Sequence, residues 1–564
     1  MNKKILIWII VFLLLLLWAW AVYMNNSGKM MKWMWEMKWM WEMKWMWEMK
    51  WMWGWEIFDN NIEWLEEAKP SQLIILKDGD TYKMDARAVK QEVGNRYIKR
   101  LAYNGMIPGP ILQIEKWWNI KLEFTNNLEI ETTLHPHGLR LDDSKFDGLP
   151  IEMGWEQKSM KPGETFVYEL NFPDTGVFWY HPHVREDYTQ EMGLYWNFSV
   201  TEKDYWNKVD KEEFMILDDF SEDDVFYKEK VNKTLMWRFG NIMMINNDED
   251  YNLNVNQYET TRLYLTNVAN TRTFDFWIYK DWKEIDLKLV WGDIWRIEKE
   301  AIIKTQIIAP AERYIVEARF DVAWEYVIKS RDRILGKITV KKSDTKIKQK
   351  AFWSELKKDT TSYKYIRDNF DKFLSQKIDK KLRLTIWMEG MWEMRKWMNH
   401  KDWGWNMMWW NEKDFEKKEE SMWGKIQHNE SAWIEWEDDM AMMNKMSSDK
   451  MMEWKMVDEQ TGKENMDIEW KFKKWDFVKI EIYNDPNSMH PMQHPVHFHG
   501  QRFIVLTREG KVNDNLQWKD TTLVRNWEKI EILVEMTNAW LWMSHCHIAE
   551  HLQSGMMMTF QVEK

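Results

Sequence analysis

The sequence predicts an all-β protein made of several β-sandwich domains, and three observations support that fold class. The chain has 564 residues, 45% of them apolar, which is enough to fill the cores of about three or four ordinary domains. Short β-type runs such as 119–124 (NIKLEF), 165–172 (TFVYELNF) and 529–536 (KIEILVEM) recur between turn-like segments, as they do in sandwich domains. Long helical patterns are scarce.

The N-terminus has the pattern of an export signal. Lys3 and Lys4 precede a long apolar run, and Ala19 and Ala21 give the small-x-small pattern of a signal-peptidase site. We predict a signal peptide or an N-terminal anchor at residues 1–23, since a helix of roughly 20 apolar residues can cross a bilayer. The protein is therefore expected to be exported, periplasmic or at the cell surface, and to meet a membrane only through such an anchor.

The net charge and the single cysteine limit the partners and the covalent cross-links that this chain can have. The net charge of -12 argues against a nucleic-acid partner, because phosphate neutralisation needs clustered Lys and Arg that carboxylates do not outnumber. The chain has one cysteine, Cys546, so it cannot form an intramolecular disulfide. That cysteine is therefore incidental, reactive, or bound to something other than sulfur.

The histidines are clustered along the chain. Ten of the 13 fall into four short groups: His135 and His137; His181 and His183; His494, His497 and His499; and His545, His547 and His551. One His-x-His pair is a weak signal, because alternate residues of a strand simply share a face, but four groups are a stronger one. No histidine occurs between His183 and His400, so the early and late groups must meet across an interface if they act together.

Cys546 stands inside the last of these groups, among soft donors. His551 and Met556 follow it at intervals of five, and His494 in the neighbouring group can supply a second nitrogen. A thiolate, two imidazoles and a weak thioether donor form the set that selects copper for electron transfer, whereas zinc more often takes a closed tetrahedral site without methionine. Eight histidines remain, enough for three further metal ions.

The four groups, in this order, resemble the motifs of the multicopper oxidases, the laccase-like family of three cupredoxin domains. The resemblance extends over nearly all of residues 70–564. It implies Greek-key β-sandwich domains of the cupredoxin type at 70–202, 203–350 and 360–564. The middle domain, which contains none of the histidine groups, matches the copper-free second domain of such proteins.

The resemblance also implies ligands for four copper ions. Those of the blue, type 1 copper are His494, Cys546, His551 and Met556, with electrons entering at Cys546. Those of the type 2 copper are His135 and His497. Those of the binuclear type 3 pair are His137, His181, His183, His499, His545 and His547. The sequence His-Cys-His would then give electrons a short covalent path between the two centres.

Two positions bear on proton supply. Asp147, in the stretch KFDGLP, resembles the carboxylate that relays protons toward the trinuclear centre, although an Asp-Gly turn explains it equally well. Some copper-oxidising members have an acid directly after the histidine matched by His551, but Leu552 stands there in this chain. The resemblance therefore supports Asp147 alone as a relay.

Two Met-rich, highly charged segments do not fit a sandwich. Residues 31–53, within a predicted linker at 24–69, repeat MKWMWE, and residues 388–456 form a predicted insert in the third domain. Methionines interleaved with Lys, Glu and Asp do not form a core. Their thioethers suit Cu(I), or alternatively form an adaptable apolar binding surface. Such inserts resemble those of the periplasmic copper-resistance subgroup.

We therefore expect an exported multicopper oxidase that takes single electrons from Cu(I) or a small organic reductant and reduces dioxygen to water at a trinuclear copper centre, in copper tolerance. Two alternatives stay open. A laccase acting on phenols or aromatic amines would have the same ligands and an open apolar pocket beside His494. A non-enzymatic copper-sequestering protein would use the Met-rich segments for storage, but complete ligand sets for both centres argue against it.

Tryptophan is unusually frequent, with 43 Trp against 22 Gly. Trp527 stands in what reads as an Asn-Gly turn, Trp475 precedes a strand, and Trp540 occupies a turn-like position; such positions favour positive φ, which a large side chain resists. We hypothesise that most of these tryptophans are glycines, from a genome that reads UGA as Gly. Trp179 and Trp542 are exceptions, because the family itself tends to use Trp there. The alternative is a genuinely Trp-rich chain.

Overall fold

The computed structural model describes most of the chain beyond the N-terminal region, as residues 61–149, 157–203, 208–221, 237–281, 283–343, 351–388, 433–437, 452–488, 490 and 492–564. The predicted export segment, most of the predicted linker and most of the predicted insert lie outside these residues. Nearly all regular structure in the described part is β-strand, so the all-β prediction is confirmed. None of the described helices is long and apolar enough to cross a membrane.

The first sandwich contains the first two histidine groups. Its strands are β1 (Leu73–Ile75), β2 (Thr81–Val93), β3 (Arg96–Tyr103), β4 (Ile111–Glu115), β5 (Asn119–Asn127), β6 (His135–His137), β7 (Thr165–Asn171), β8 (Gly176–His181) and β9 (Trp196–Thr201), with a 3₁₀ helix (Ser144–Phe146) and helix α1 (Glu186–Thr189). The sheet orders are β3-β2-β5-β7 and β1-β4-β9-β8-β6. The rings of Tyr103 and Tyr180, one from each sheet, meet edge to face at 5.2 Å.

The middle sandwich contains two six-stranded sheets. Its strands are β10 (Lys211–Phe220), β11 (Ile242–Ile245), β12 (Asn252–Asn256), β13 (Thr260–Asn267), β14 (Phe274–Lys280), β15 (Lys283–Glu284), β16 (Leu287–Trp291), β17 (Arg296–Ile303), β18 (Thr305–Ile308), β19 (Arg313–Arg319), β20 (Glu325–Ser330) and β21 (Arg333–Lys341). The orders are β11-β10-β13-β19-β16-β17 and β12-β21-β20-β14-β15, with β18 beside β14. Leu263, Val316 and Ile328 belong to the apolar core between them.

The third sandwich contains the last two histidine groups. Its strands are β22 (Lys380–Met388), β23 (Met452–Asp458), β24 (Glu469–Lys473), β25 (Phe477–Asn484), β26 (His494–Phe498), β27 (Arg502–Arg508), β28 (Lys511–Val512), β29 (Trp518–Lys519), β30 (Thr521–Val524), β31 (Lys529–Glu535), β32 (Trp540–Cys546) and β33 (Met557–Glu563). The orders are β23-β22-β25-β31-β27-β28, with β29 beside β27, and β24-β33-β32-β26-β30.

Short helices complete the third part of the chain. Helices α2 (Ala351–Ser354), α3 (Lys364–Asp368) and α4 (Phe370–Ser375) precede β22, a 3₁₀ helix (Asn465–Asp467) precedes β24, and helix α5 (Ala549–Gln553) follows β32. The six sheets thus occupy three successive stretches of sequence, one pair within each predicted domain range. The exact domain boundaries at 70–202, 203–350 and 360–564 stay predictions.

Strand pairing brings the histidine groups together. β6 and β8 are antiparallel neighbours with His135 opposite His181. β26 and β32 are antiparallel neighbours with His497 opposite His545 and Val496 opposite Cys546. Each sandwich that contains histidine groups therefore holds its two groups on adjacent strands, where the backbone fixes their spacing.

The predicted insert is shorter than its composition indicated. Strand β23 pairs with β22 in register, from Leu382 opposite Asp458 to Met388 opposite Met452. Trp454 and Met456 are fully buried, because they alternate with outward-facing residues as strand residues do. Residues 452–456 are therefore part of the sheet, and the prediction that the insert extends to 456 was wrong.

Five tryptophans adopt backbone conformations that favour glycine. Their φ angles are positive: 70° at Trp117, 73° at Trp295, 75° at Trp475, 61° at Trp527 and 137° at Trp540. A Cβ makes such angles costly for other residues, and φ near that of Trp540 lies in a region that glycine almost alone visits. These angles support the hypothesis at all three positions named above. The hypothesis also applies to Trp33, in the MKWMWE repeat, and to Trp282, in the stretch KDWKE, and both lie outside the described residues.

Two other indoles are built into the fold. Trp542 is fully buried, and its ring fills the space above Gly500, where an added Cβ would come within 2.4 Å of it. Trp179 stacks on His181 with ring centroids 4.1 Å apart. These are the two positions at which tryptophan was expected to be genuine.

Replacing Trp475, Trp527 and Trp540 with glycine should each raise the free energy of unfolding by about 1 kcal/mol, because glycine adopts positive φ without strain. Urea unfolding of the single variants measures the effect. As a control, Trp542→Gly should lower stability, since it leaves a cavity beside Gly500. Lower stability in all three glycine variants would mean that the indoles are native and well accommodated.

The same hypothesis makes a chemical prediction. Protein isolated from its own organism should give peptide masses with glycine at positions 475, 527 and 540, and the gene should have UGA codons there. UGG codons at these positions, or tryptophan masses, would contradict it.

Candidate metal centre

Two buried clusters contain every histidine and cysteine predicted as a ligand. The larger one, which we call the eight-histidine cluster, lies between the first and third sandwiches and consists of His135, His137, His181, His183, His497, His499, His545 and His547. The smaller one, which we call the cysteine cluster, lies in the third sandwich and consists of His494, Cys546 and His551. All eleven side chains are at most 1% exposed.

The ring nitrogens of the eight-histidine cluster converge in triads, with one possible ligand atom of each member within 4.8 Å of the others. Two triads divide the six predicted type 3 ligands between them: His137, His181 and His547, and His183, His499 and His545. A further triad brings the two predicted type 2 ligands together: His135 and His497, beside His137. Which copper each group would hold remains a prediction.

Burial keeps these imidazoles neutral. It lowers the pKa well below the usual value, with a further contribution from neighbouring imidazoles, for His137, His181, His183, His497, His499, His545 and His547. A neutral imidazole keeps a lone pair for a metal ion.

Several nitrogens of this cluster lack a protein partner. Buried Nε2 atoms without a hydrogen-bond partner among the described residues belong to His135, His181, His183, His497 and His547. Leaving such an atom unsatisfied costs about 1–3 kcal/mol. A bound metal ion would satisfy these atoms, so the donor set fits a group of metal ions.

Asp147 is a buried carboxylate at the edge of the eight-histidine cluster. Its Oδ2 lies 2.8 Å from Nδ1 of His499, and its Oδ1 lies 3.2 Å from Nδ1 of His135. Burial raises the pKa of Asp147. The next residue, Gly148, has a φ of 78°, and a Cβ there would overlap the carbonyl of Leu134. Asp147 thus belongs to a turn and contacts the cluster, while its role as a proton relay remains a prediction.

Asp520 is a second buried carboxylate at this cluster, and sequence reasoning missed it. Its Oδ1 lies 3.1 Å from Nε2 of His137, and its carbonyl lies 2.9 Å from Nδ1 of His497. Arg313, in β19 of the middle sandwich, donates hydrogen bonds of 2.7 and 2.5 Å to its two carboxylate oxygens. No local motif identifies Asp520, because it reaches His137 across 383 positions of sequence.

Glu186 is a third buried carboxylate that sequence reasoning missed. Its Oε2 lies 3.1 Å from Nδ1 of His183. Its Oε1 lies 3.6 Å from Nδ1 of His181 and 3.8 Å from Nδ1 of His547. Burial raises the pKa of Glu186 to about 8. The sequence feature that could have identified Glu186 is its position three residues after His183, in the stretch HPHVRED.

The cysteine cluster brings one sulfur and two nitrogens to a single point. Sγ of Cys546 lies 3.4 Å from Nδ1 of His494 and 3.5 Å from Nδ1 of His551, and the two nitrogens are 3.2 Å apart. Burial raises the pKa of the Cys546 thiol and lowers the pKa of His494 to about 3. Because a dry pocket disfavours a bare thiolate, the set fits a bound cation, and sulfur with imidazole favours copper.

Met556 and Trp454 enclose the cysteine cluster. Met556 donates its backbone N–H to the carbonyl of His551 at 3.0 Å, and its carbonyl accepts from the N–H of Cys546 at 3.1 Å. Its side chain is fully buried. Trp454 stacks on the ring of His551 with centroids 3.8 Å apart. The loop 546–556 is thereby closed, and its predicted axial donor lies within the fold.

The end of β32 joins the two clusters. Because side chains alternate along a strand, Cys546 belongs to the cysteine cluster while His545 and His547 belong to the eight-histidine cluster. Nδ1 of His545 also lies 2.9 Å from the carbonyl oxygen of Cys546. A covalent path and a hydrogen-bond contact therefore connect the sulfur to the imidazoles.

Comparison with known proteins gives concordant results. Family models described as multicopper oxidase match residues 88–204 and 435–564. The multicopper oxidase mco of Staphylococcus aureus is 25% identical over 517 residues, which are 88% of this chain and 92% of that protein. Copper resistance protein A of Pseudomonas syringae pv. tomato is 25% identical over 162 residues, 28% of this chain and 25% of that protein.

A solved structure shares the fold. The multicopper oxidase of Campylobacter jejuni, described as a metallo-oxidase, matches with a TM-score of 0.61 at 19% sequence identity. The match covers 90% of this chain and 100% of that chain. The predicted cupredoxin architecture is therefore confirmed at the level of the fold.

Cys546→Ser should abolish the blue absorption of the copper-loaded protein while most copper stays in the eight-histidine cluster. The reason is that Cys546 supplies the thiolate, whereas the eight histidines form a separate cluster. The absorption spectrum and the copper content per chain measure the two effects. The control variant His183→Ala should do the reverse, keeping the blue band and losing copper from the larger cluster. A blue band in the serine variant would disprove the role of Cys546.

Proposed function

We propose, from the premise that this chain belongs to the multicopper oxidase family and is an oxidoreductase with oxygen as acceptor, that it oxidises Cu(I) in copper tolerance. Bound copper supplies the redox chemistry, which is one-electron oxidation of the reductant and four-electron reduction of dioxygen to water. The export pattern at residues 1–23 supports a location in the periplasm or at the cell surface, with or without an N-terminal anchor.

Four copper ions would occupy the two clusters. The residues proposed for the blue copper are His494, Cys546, His551 and Met556. Those proposed for the type 2 copper are His135 and His497, and those for the type 3 pair are His137, His181, His183, His499, His545 and His547. The chain's own contribution is to hold neutral donors in fixed positions and to keep water out of both clusters.

The proposal that Cu(I) is the reductant rests on the described part of the insert. Residues 433–437 lie against the strands beside His494. Gln493, its neighbour in the chain, accepts from the N–H of Glu435 at 2.9 Å and donates to the carbonyl of Glu435 at 2.8 Å. Ile434 is buried against Ala309 and Leu523. Residues 433–437 thus lie against the chain next to His494, where we propose that a reductant approaches the cysteine cluster.

The segment 433–437 brings one acidic side chain, Glu435, to this edge. Oε2 of Glu435 lies 3.2 Å from Nε2 of His490, a histidine outside the four groups that sequence reasoning did not select. The ring of His490 stacks on Trp237 with centroids 4.7 Å apart. The laccase alternative requires an open apolar pocket beside His494, and this arrangement argues against it.

Names of similar proteins point in the same direction. The Pseudomonas syringae protein is named for copper resistance, and the Campylobacter jejuni enzyme is described as a metallo-oxidase. A storage protein without enzymatic activity would not need two complete ligand sets joined through Cys546. We therefore keep the laccase function as the second candidate, for the same clusters with a phenol as reductant.

The direct test is oxygen uptake by the copper-reconstituted protein, measured side by side with Cu(I) and with a phenol. We expect faster uptake with Cu(I). Faster uptake with the phenol would favour the laccase function, and no uptake with either reductant would contradict both.

Excising residues 389–451 and joining β22 to β23 with a short Gly-Ser turn should lower kcat/KM for Cu(I) about tenfold or more, while oxidation of bulky phenols stays equal or rises. The excision removes the soft thioether donors and uncovers the edge beside His494. Steady-state oxygen uptake with Cu(I) and with a bulky phenol measures the change in activity toward each reductant.

A matched variant distinguishes the loss of thioether donors from the loss of the residues that cover the edge beside His494. Excising residues 391–430 alone removes six of the eleven methionines of 389–451 but keeps residues 433–437, so Cu(I) oxidation should fall in part while phenol oxidation stays low. If both excisions reduce both activities equally, the segment serves folding rather than substrate selection.

A further inference from the structure

Each histidine of the eight-histidine cluster has an outer contact on the side away from its inward-facing nitrogen. Asp147 contacts His135 and His499. Asp520 contacts His137 and, through its carbonyl, His497. The carbonyl of Cys546 contacts His545. The carbonyl of Pro182 lies 3.1 Å from Nδ1 of His181. The histidines not reached by these groups are His183 and His547.

Glu186 is the residue that these two histidines share, and it also lies near His181. Its two carboxylate oxygens lie 3.1 to 3.8 Å from the Nδ1 atoms of His183, His181 and His547. Neither oxygen has a hydrogen-bond partner among the described residues, so the imidazoles are its polar surroundings. His181 and His547 belong to one triad and His183 belongs to the other. One carboxylate therefore touches both halves of the predicted binuclear pair.

The backbone around Glu186 is firmly held. Glu186 is the first residue of α1, preceded by Arg185 in a left-handed conformation. The carbonyl of Asp187 accepts hydrogen bonds from Asn270 at 2.9 Å and from Arg238 at 3.2 Å. Asn270 also donates to Glu550 of α5 at 3.1 Å. Helix α1 is thus tied to the helix that contains His551, and the Glu186 side chain has little freedom to move.

We propose that Glu186 is a positioning residue that fixes the ring orientation and tautomer of His183 and His547, one from each half of the binuclear pair. The proposal rests on the proposed function only in requiring that the eight-histidine cluster binds copper. A carboxylate that accepts Nδ1–H leaves Nε2 as the lone-pair nitrogen and raises its basicity. Because His183 and His547 belong to different triads, a carboxylate that accepts from both would also fix their mutual orientation.

Copper titration of the apo full-length protein tests this inference. Glu186→Gln should weaken copper binding in the eight-histidine cluster by roughly 10–100-fold, because an amide replaces one of the two acceptor oxygens with an NH2 donor. The binuclear absorption and the EPR-silent copper fraction should fall, and the blue band should persist. Glu186→Asp should restore part of the loss, since it keeps the carboxylate.

Two controls separate positioning from a purely structural role. Glu191→Gln, which alters a buried acid of the same segment that contacts Arg238 at 3.8 Å, should leave copper affinity unchanged. Apo Glu186→Gln should be at least as stable to urea as the parent, because the substitution keeps the size of a buried side chain whose oxygens have no hydrogen-bond partner among the described residues. Equal losses of apo stability and copper affinity would assign Glu186 to folding and reject the proposal.

Other outcomes would also overturn it. Parental copper affinity and binuclear signals in Glu186→Gln would mean that Glu186 does not orient the ligands. Unchanged copper binding with slower turnover and a shifted pH profile would assign Glu186 to proton supply instead. Because copper titration needs no reductant, failure of Cu(I) oxidation in the parent protein would refute the proposed function and leave this inference standing.

Discussion

The buried pairing of Arg313 with Asp520 is the interaction on which the metal centre depends. Arg313 comes from the middle sandwich, donates to the carbonyl of Val177 in the first at 3.1 Å, and binds both oxygens of Asp520 in the third. Burying two charges costs several kcal/mol per ion, which only such bidentate geometry offsets. The middle sandwich, which contributes no histidine to the cluster, thereby helps to fix the interface at which the eight histidines meet.

That ion pair also explains a glycine in the first histidine motif. Gly138 follows His137 directly, and a Cβ there would come within 2.5 Å of an Asp520 oxygen and 2.8 Å of an Arg313 nitrogen. The motif His-Pro-His-Gly therefore meets two structural requirements. Its histidines supply donors, and its glycine leaves room for charges from the other two sandwiches.

Sequence reasoning predicted the imidazole and thiol side chains of the two clusters but missed most of the carboxylates that contact the imidazoles. Imidazole and thiol are rare side chains with specific chemistry, so short groups of them are visible in the sequence alone. Carboxylates are common, with 91 in this chain, and Asp520 and Glu186 are distinguished only by where folding places them. The strand of residues 452–456 was missed for a related reason, because methionine-rich composition concealed the alternation of buried Trp454 and Met456.

The register of β22 with β23 has an evolutionary consequence. Met388 and Met452 face each other across a strand pair, so the two ends of the intervening segment are adjacent whatever its length. Loop-closure entropy rises by only about 0.6 kcal/mol for each doubling of loop length. Lineages can therefore lengthen, shorten or exchange this segment as a cassette without disturbing the strands beneath it. The segment can therefore change in length and composition while the two buried clusters keep their geometry.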